Sequence, residues 1–171
     1  MVLPPVAHLE TKYMMVIIGC GNLNRCDDGV GVVVARRLAA AAKDPTGRVR
    51  IFDAGTGGME IMYHARGATR LVIVDACSSG SDPGAVFEVP GEELEGRNPQ
   101  SFTLHDFRWD HALYAGRRMF KDAFPREVTV FLVEAKSLNY GLELSPEVER
   151  AAGIVAERVG ALIEAHVGGA A

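Results

Sequence analysis

The chain has 171 residues, 48% of them hydrophobic and 23% charged, with a formal net charge of −4 at pH 7. That length suffices for one well-buried core, so we expect a single domain over 1–171, with a loose leader at 1–12 and a loose tail at 168–171. No Lys/Arg block marks a nucleic-acid partner, no apolar run is long enough to span a bilayer, and 1–12 lack the pattern of a signal peptide, so a cytoplasmic protein is expected.

In chain order, an apolar run at 14–18 reads as a strand, followed by a turn containing Gly19, Gly21 and Asn22. The adjacent acids Asp27 and Asp28 lead into a helix over 28–42, with Val30, Val33, Val34 and Leu38 on one face. Residues 43–47 form a turn by composition, 49–52 a second strand ending at Asp53, and Gly55-Thr56-Gly57-Gly58 opens a short helix containing Met59, Ile61 and Met62. The uninterrupted run 71–74 reads as a strand covered on both faces, ending at Asp75. A loop at 78–83 precedes a strand at 85–89, expected as an antiparallel edge, and 91–99 reads as irregular. A helix is expected from 105 or 106 to 119, and a covered strand at 128–133 leads to Glu134. Ser145, Pro146 and Glu147 then open a last helix, with Ser as cap and Pro in the first turn. Covered strands alternating with amphipathic helices predict an α/β three-layer sandwich, a mostly parallel twisted sheet with helices on both faces.

Ligands of such sheets sit outside the carboxyl ends of the strands, where Asp27, Asp28, Asp53, Asp75 and Glu134 all fall by direction alone. A nucleotide is not expected there. Gly19-x-Gly21 matches half a dinucleotide fingerprint, but its third glycine position holds Asn24. Two carboxylates within about 4 Å of a phosphate would cost on the order of 1–4 kcal/mol per charge pair. Capping the helix, worth roughly 0.5–2 kcal/mol, accounts for one of the adjacent acids. Asp27 is therefore expected to be structural and Asp28 to point into the cleft. Asp53 with Gly55, Thr56 and Gly57 reads as a tight turn held by side-chain bonds to backbone.

Two carboxylates and one imidazole suit a borderline divalent ion such as nickel or zinc. His105 and His111 are six residues apart, and no H-x-x-x-H pair exists for a zincin. Cys20, Cys26 and Cys77 form no C-x-x-C, which argues against a zinc knuckle or a disulfide framework. No Ser-His-Asp or Cys-His order is visible; Cys26 beside Asp27 stays open as a covalent route.

With these residues in hand, the chain resembles the nickel–iron hydrogenase maturation endopeptidases. The resemblance rests on Gly19-x-Gly21-Asn22, Asp27-Asp28-Gly29-x-Gly31, Asp53-x-Gly55-Thr56-x-Gly58-Met59-Glu60, the strand ending Asp75-Ala76, His105, and Gly141-Leu142-x-Leu144-Ser145-Pro146. Together they cover nearly all of 14–167 in the family's order. The resemblance implies a three-layer α/β endopeptidase that removes the C-terminal extension of a hydrogenase large-subunit precursor after metal insertion. It implies that Asp28, Asp75 and His105 engage nickel carried by the substrate, or another divalent ion in the same site, and act in catalysis. His111 is the rival of His105, whose place in the motif order is the better match. Asp27, Asp53, Gly55, Thr56 and Gly57 would shape the cleft or brace it. Asp28 is a Glu in some relatives, and Glu134-Ala135 stands where the family has a Glu-Pro-like turn. The alternatives are a metal-binding maturation chaperone that does not cleave, and a self-sufficient metallo- or aspartate hydrolase acting on another peptide.

Overall fold

The computed structural model describes residues 14–41, 44, 46–95 and 108–169. Five strands, β1 (Met15–Cys20), β2 (Val49–Gly55), β3 (Arg70–Cys77), β4 (Val86–Pro90) and β5 (Glu127–Glu134), form one sheet in the order β2-β1-β3-β5-β4. β2, β1, β3 and β5 run parallel, while β4 pairs antiparallel with β5 at the edge. The helices are α1 (Val30–Ala41), α2 (Gly58–Ala65), α3 (Gly91–Glu95), α4 (Trp109–Phe120) and α5 (Pro146–Gly168). The three-layer α/β sandwich expected from the sequence is thus the observed fold.

Alternation along the central strands builds two cores, because successive side chains of a strand point to opposite faces. Met15 and Ile17 of β1, with Val72 and Val74 of β3, pack under α1 and α5, against Val30, Val34, Val155 and Val159. Val16 and Ile18, with Leu71 and Ile73, pack on the other side with Ile61 of α2 and Trp109 and Leu113 of α4. Both faces of β1 and β3 are therefore apolar, which is why their sequences read as continuous runs.

Some boundaries differ from the expected ones. Cys26–Gly29 forms a 3₁₀ turn, so α1 begins at Val30 rather than Asp28. The start of α1 lies directly on the sheet: a Cβ on Gly31 would strike the carbonyls of Val74 and Cys20. β2 continues past Phe52 to Gly55, after a register shift that sets Cys20 opposite Gly55. α3 occupies part of the stretch expected to be irregular. Among the described residues α4 begins at Trp109; the start expected at 105 or 106 falls outside them. Among the described residues, no helix is long and apolar enough to cross a membrane.

Candidate active site

β1 and β3 are adjacent and parallel, so the segments following their carboxyl ends emerge side by side. There they border a cleft of about 440 Å³ whose walls include Gly21, Arg25, Asp28, Gly55, Thr56, Asp75, Arg108, Trp109 and Leu138. Asp28 reaches it from the 3₁₀ turn after β1, and its Oδ2 accepts the Asn22 N–H at 3.1 Å. The turn closes because position 21 is glycine: its φ is +124°, and a Cβ there would collide with the Asp28 carbonyl.

Asp75 enters the same cleft near the end of β3, and its two oxygens are held from different directions. Oδ1 accepts the Ala76 N–H at 2.8 Å, and Oδ2 accepts the indole N–H of the buried Trp109, also at 2.8 Å. The Arg108 guanidinium stands 3.8 Å from Oδ2. Burial pushes the Asp75 carboxyl up to about 6; the Ala76 N–H, Arg108 and Trp109 oppose that rise, and the charge of Asp28 adds to it. Asp28 and Asp75 thus share one electrostatic environment, and the oxygens of both keep acceptor capacity beyond these bonds. A pair of hard carboxylate donors suits a divalent cation. Among the described residues, no group of three or more His, Cys, Asp or Glu side chains is arranged to hold an ion.

The remaining acids of this edge point elsewhere. Asp27 is fully buried and accepts the backbone N–H groups of Lys136, Ser137 and Ser145 at 2.9, 2.9 and 2.6 Å, together with the Ser145 hydroxyl at 3.0 Å. Ser145 precedes α5 as expected, but its hydroxyl serves Asp27 instead of capping the helix. Glu134 is buried and accepts the N–H and hydroxyl of Ser79, the Gly80 N–H and the Cys77 thiol. The Ser79 backbone and hydroxyl bonds hold the Glu134 carboxyl down at about 2. Burial, then the bond to Glu134, pushes the Cys77 thiol up to about 12, and burial also raises Cys20. Asp53 pairs with Arg36 at 2.8 Å on the surface and accepts the Gly55 N–H at 3.0 Å, bracing the turn that brings Gly55 and Thr56 to the cleft. Gly57 supports the same turn by donating to the Ala54 carbonyl at 2.8 Å.

His105 lies outside the described residues. His111 sits on the first turn of α4, where its Nδ1 accepts the Arg108 N–H at 3.4 Å, and it does not line the cleft. Cys26 faces a second groove, formed with Asp27, Leu142 and Leu144. Arg108 and Trp109 carry no motif in the sequence; only their position just after His105, and the uniqueness of Trp109 in the chain, could have marked them.

Fold and cleft together define a class: a mostly parallel α/β protein whose candidate site is built from carboxylates at the carboxyl edge of its sheet. The hydrogenase maturation protease family model matches residues 32–161. The hydrogenase expression/formation protein HoxM of Azotobacter vinelandii is 30% identical over 158 residues, covering 86% of this chain and 75% of that protein. The hydrogenase 2 maturation protease of Escherichia coli is 29% identical over 136 residues, 79% of this chain and 81% of the relative. The solved structure of the hydrogenase maturating endopeptidase HybD from E. coli superposes with a TM-score of 0.76 at 28% identity, over 88% of this chain and 92% of that one. The chain belongs to the hydrogenase maturation protease family, and it is accordingly an endopeptidase, a hydrolase of peptide bonds.

Proposed function

We propose that this endopeptidase removes the C-terminal extension of a nickel–iron hydrogenase large-subunit precursor once nickel has been inserted, and that it does so in the cytoplasm. The supporting observation is the meeting of Asp28 and Asp75 in one cleft, each oriented by its own hydrogen bond. The nickel is part of the substrate. When bound, it supplies a Lewis acid that polarises the scissile carbonyl or acidifies the attacking water. Asp28 and Asp75 supply carboxylate oxygens toward that ion, with His105 as the third group implied by the resemblance. Trp109 and Ala76 keep the Asp75 carboxylate from rotating, and Asn22 does the same for Asp28. Gly55 and Thr56 form the part of the wall against which a substrate backbone can lie. Above pH of about 6 Asp75 is anionic and free to receive a cation; below it a proton competes for the same oxygens.

Such an arrangement acts as a checkpoint, because a precursor without its ion offers Asp28 and Asp75 no cation to bind and leaves Asp75 to its Arg108 partner. The test is intact-mass spectrometry of a purified large-subunit precursor, with and without nickel, after incubation with this protein. Loss of a C-terminal peptide from the nickel-loaded sample alone is expected. Cleavage of both samples would leave a protease without the checkpoint, and cleavage of neither would remove this substrate.

A further inference from the structure

We propose that Tyr140 and Leu142 form the docking point for the body of the protein substrate, immediately beside the cleft that receives its scissile segment. They are the most exposed large apolar side chains among the described residues, at 91% and 79% exposure. Both flank Gly141, whose carbonyl accepts the Cys26 N–H at 2.8 Å and whose N–H donates to the Asn24 carbonyl at 3.0 Å. Farther back on the same loop, the Leu138 carbonyl accepts Arg25 Nε at 3.1 Å, and Leu138 itself lines the cleft with Asp28. Asp27 ties down both ends of the loop through Lys136, Ser137 and Ser145.

The turn that presents Asp28 to the cleft therefore also holds Tyr140 and Leu142 out to solvent. A freely moving loop could fold these side chains back, whereas this one is fixed by a buried carboxylate. Apolar groups on a fixed backbone lose only side-chain entropy on being covered, and a buried tyrosine is a typical centre of binding energy. Tyr140 and Leu142 share one short loop with Leu138, which lines the cleft, and Leu142 also lines the second groove behind that loop, so the occupant is a chain that lies in the cleft and passes over the loop: apolar residues on the substrate protein, close to the cleaved bond. This inference rests on the proposed substrate, a large-subunit precursor.

The test compares wild type with the Tyr140→Ser/Leu142→Ser double variant, with Ile154→Ser as control for an exposed apolar residue on α5. Binding of nickel-loaded precursor is followed by biolayer interferometry, cleavage by intact mass, and self-association by sedimentation velocity. The double variant should raise Kd and KM by about 10-fold or more, in line with the truncation of interface anchors. Its rate at saturating precursor and its Tm should match wild type, and Ile154→Ser should bind normally. Wild-type affinity in a double variant that still cleaves would overturn the docking point and leave the proposed substrate standing. A wild-type dimer that the double variant abolishes would assign the patch to a second copy of this chain, and so overturn the proposal. If wild type neither binds nor cleaves the precursor, the proposed substrate fails and the docking point falls with it.

Discussion

Two regions at the same end of the sheet use carboxylates in opposite ways. Where β5 leads into α5, Asp27 and Glu134 are buried and each accepts bonds from several N–H and hydroxyl groups, so their charge is spent on holding loops. In the cleft beside β1 and β3, Asp28 and Asp75 are held by fewer bonds, and Asp75 is raised chiefly by burial and to a lesser degree by the charge of Asp28, against the pull of Arg108. A saturated carboxylate is a structural anchor, while one left with acceptor capacity beside a like charge stores unfavourable energy that a cation or a proton relieves. Adjacent residues, Asp27 and Asp28, fall on opposite sides of this divide.

The largest expected effect comes from breaking the anchored region. Asn at position 27 keeps one acceptor oxygen but turns an amide toward N–H donors that need an acceptor. With that oxygen kept on Lys136 and Ser137, the amide strands the Ser145 N–H at roughly 1–3 kcal/mol, and the two bonds kept lose their charge assistance, about 1 kcal/mol each. Asp27→Asn should therefore lose about 4 kcal/mol of stability, or on the order of 10 °C in Tm for a chain of this size. Thermal or urea unfolding checks this, and a Tm close to wild type would mean that the hydrogen bonds to Asp27 are not what holds the 135–145 loop.

The next effect sharpens the other side of the comparison. Because the folded-state carboxyl of Asp75 is raised from 3.8 to about 6, the metal-free folded protein binds a proton that the unfolded chain has released between those values. Stability from this group is thus greatest below about pH 4 and falls as pH rises through about 6, by on the order of 3 kcal/mol. Glu134 works in the opposite direction: depressed to about 2, it contributes stability above its ordinary value of 4.5 and loses it as pH falls toward 2. Urea unfolding of the metal-free protein from pH 4 to 7, with Asp75→Ala alongside, isolates the Asp75 contribution. An Asp75→Ala difference that does not vary with pH would show that Asp75 titrates normally.

The sheet and its helices were readable because periodicity reports burial: the runs in β1, β3 and β5 are apolar on both faces, and the stripe of α5 recurs at helical spacing. Direction alone placed the acids at the right edge of the sheet. Direction could not sort them; the argument that capping needs only one acid separates Asp27 from Asp28 as observed, but what anchors Asp27 is a loop and not a helix end, through partners distant in sequence. Asp27 is anchored by residues more than one hundred positions away, at Lys136, Ser137 and Ser145. Ser145 looks in sequence like a helix cap and serves as a donor to that buried acid. Trp109 reaches Asp75 from another helix, an encounter that no local spacing encodes. Asp53 was legible locally: the turn expected of it is held by its bond from the Gly55 N–H, and only its pairing with Arg36 of α1 lay beyond the local sequence.

The most direct test is single-turnover cleavage of nickel-loaded large-subunit precursor by Asp28→Asn, with a melting curve taken on the same sample. The asparagine keeps an oxygen for the Asn22 N–H and removes only the charge offered to the cleft. Cleavage should fall at least about 100-fold, the scale of losing a group that stabilises transition-state charge, while Tm stays within a few degrees of wild type. Cleavage at the wild-type rate, or collapse of the fold, would contradict the assignment of Asp28 to the working pair.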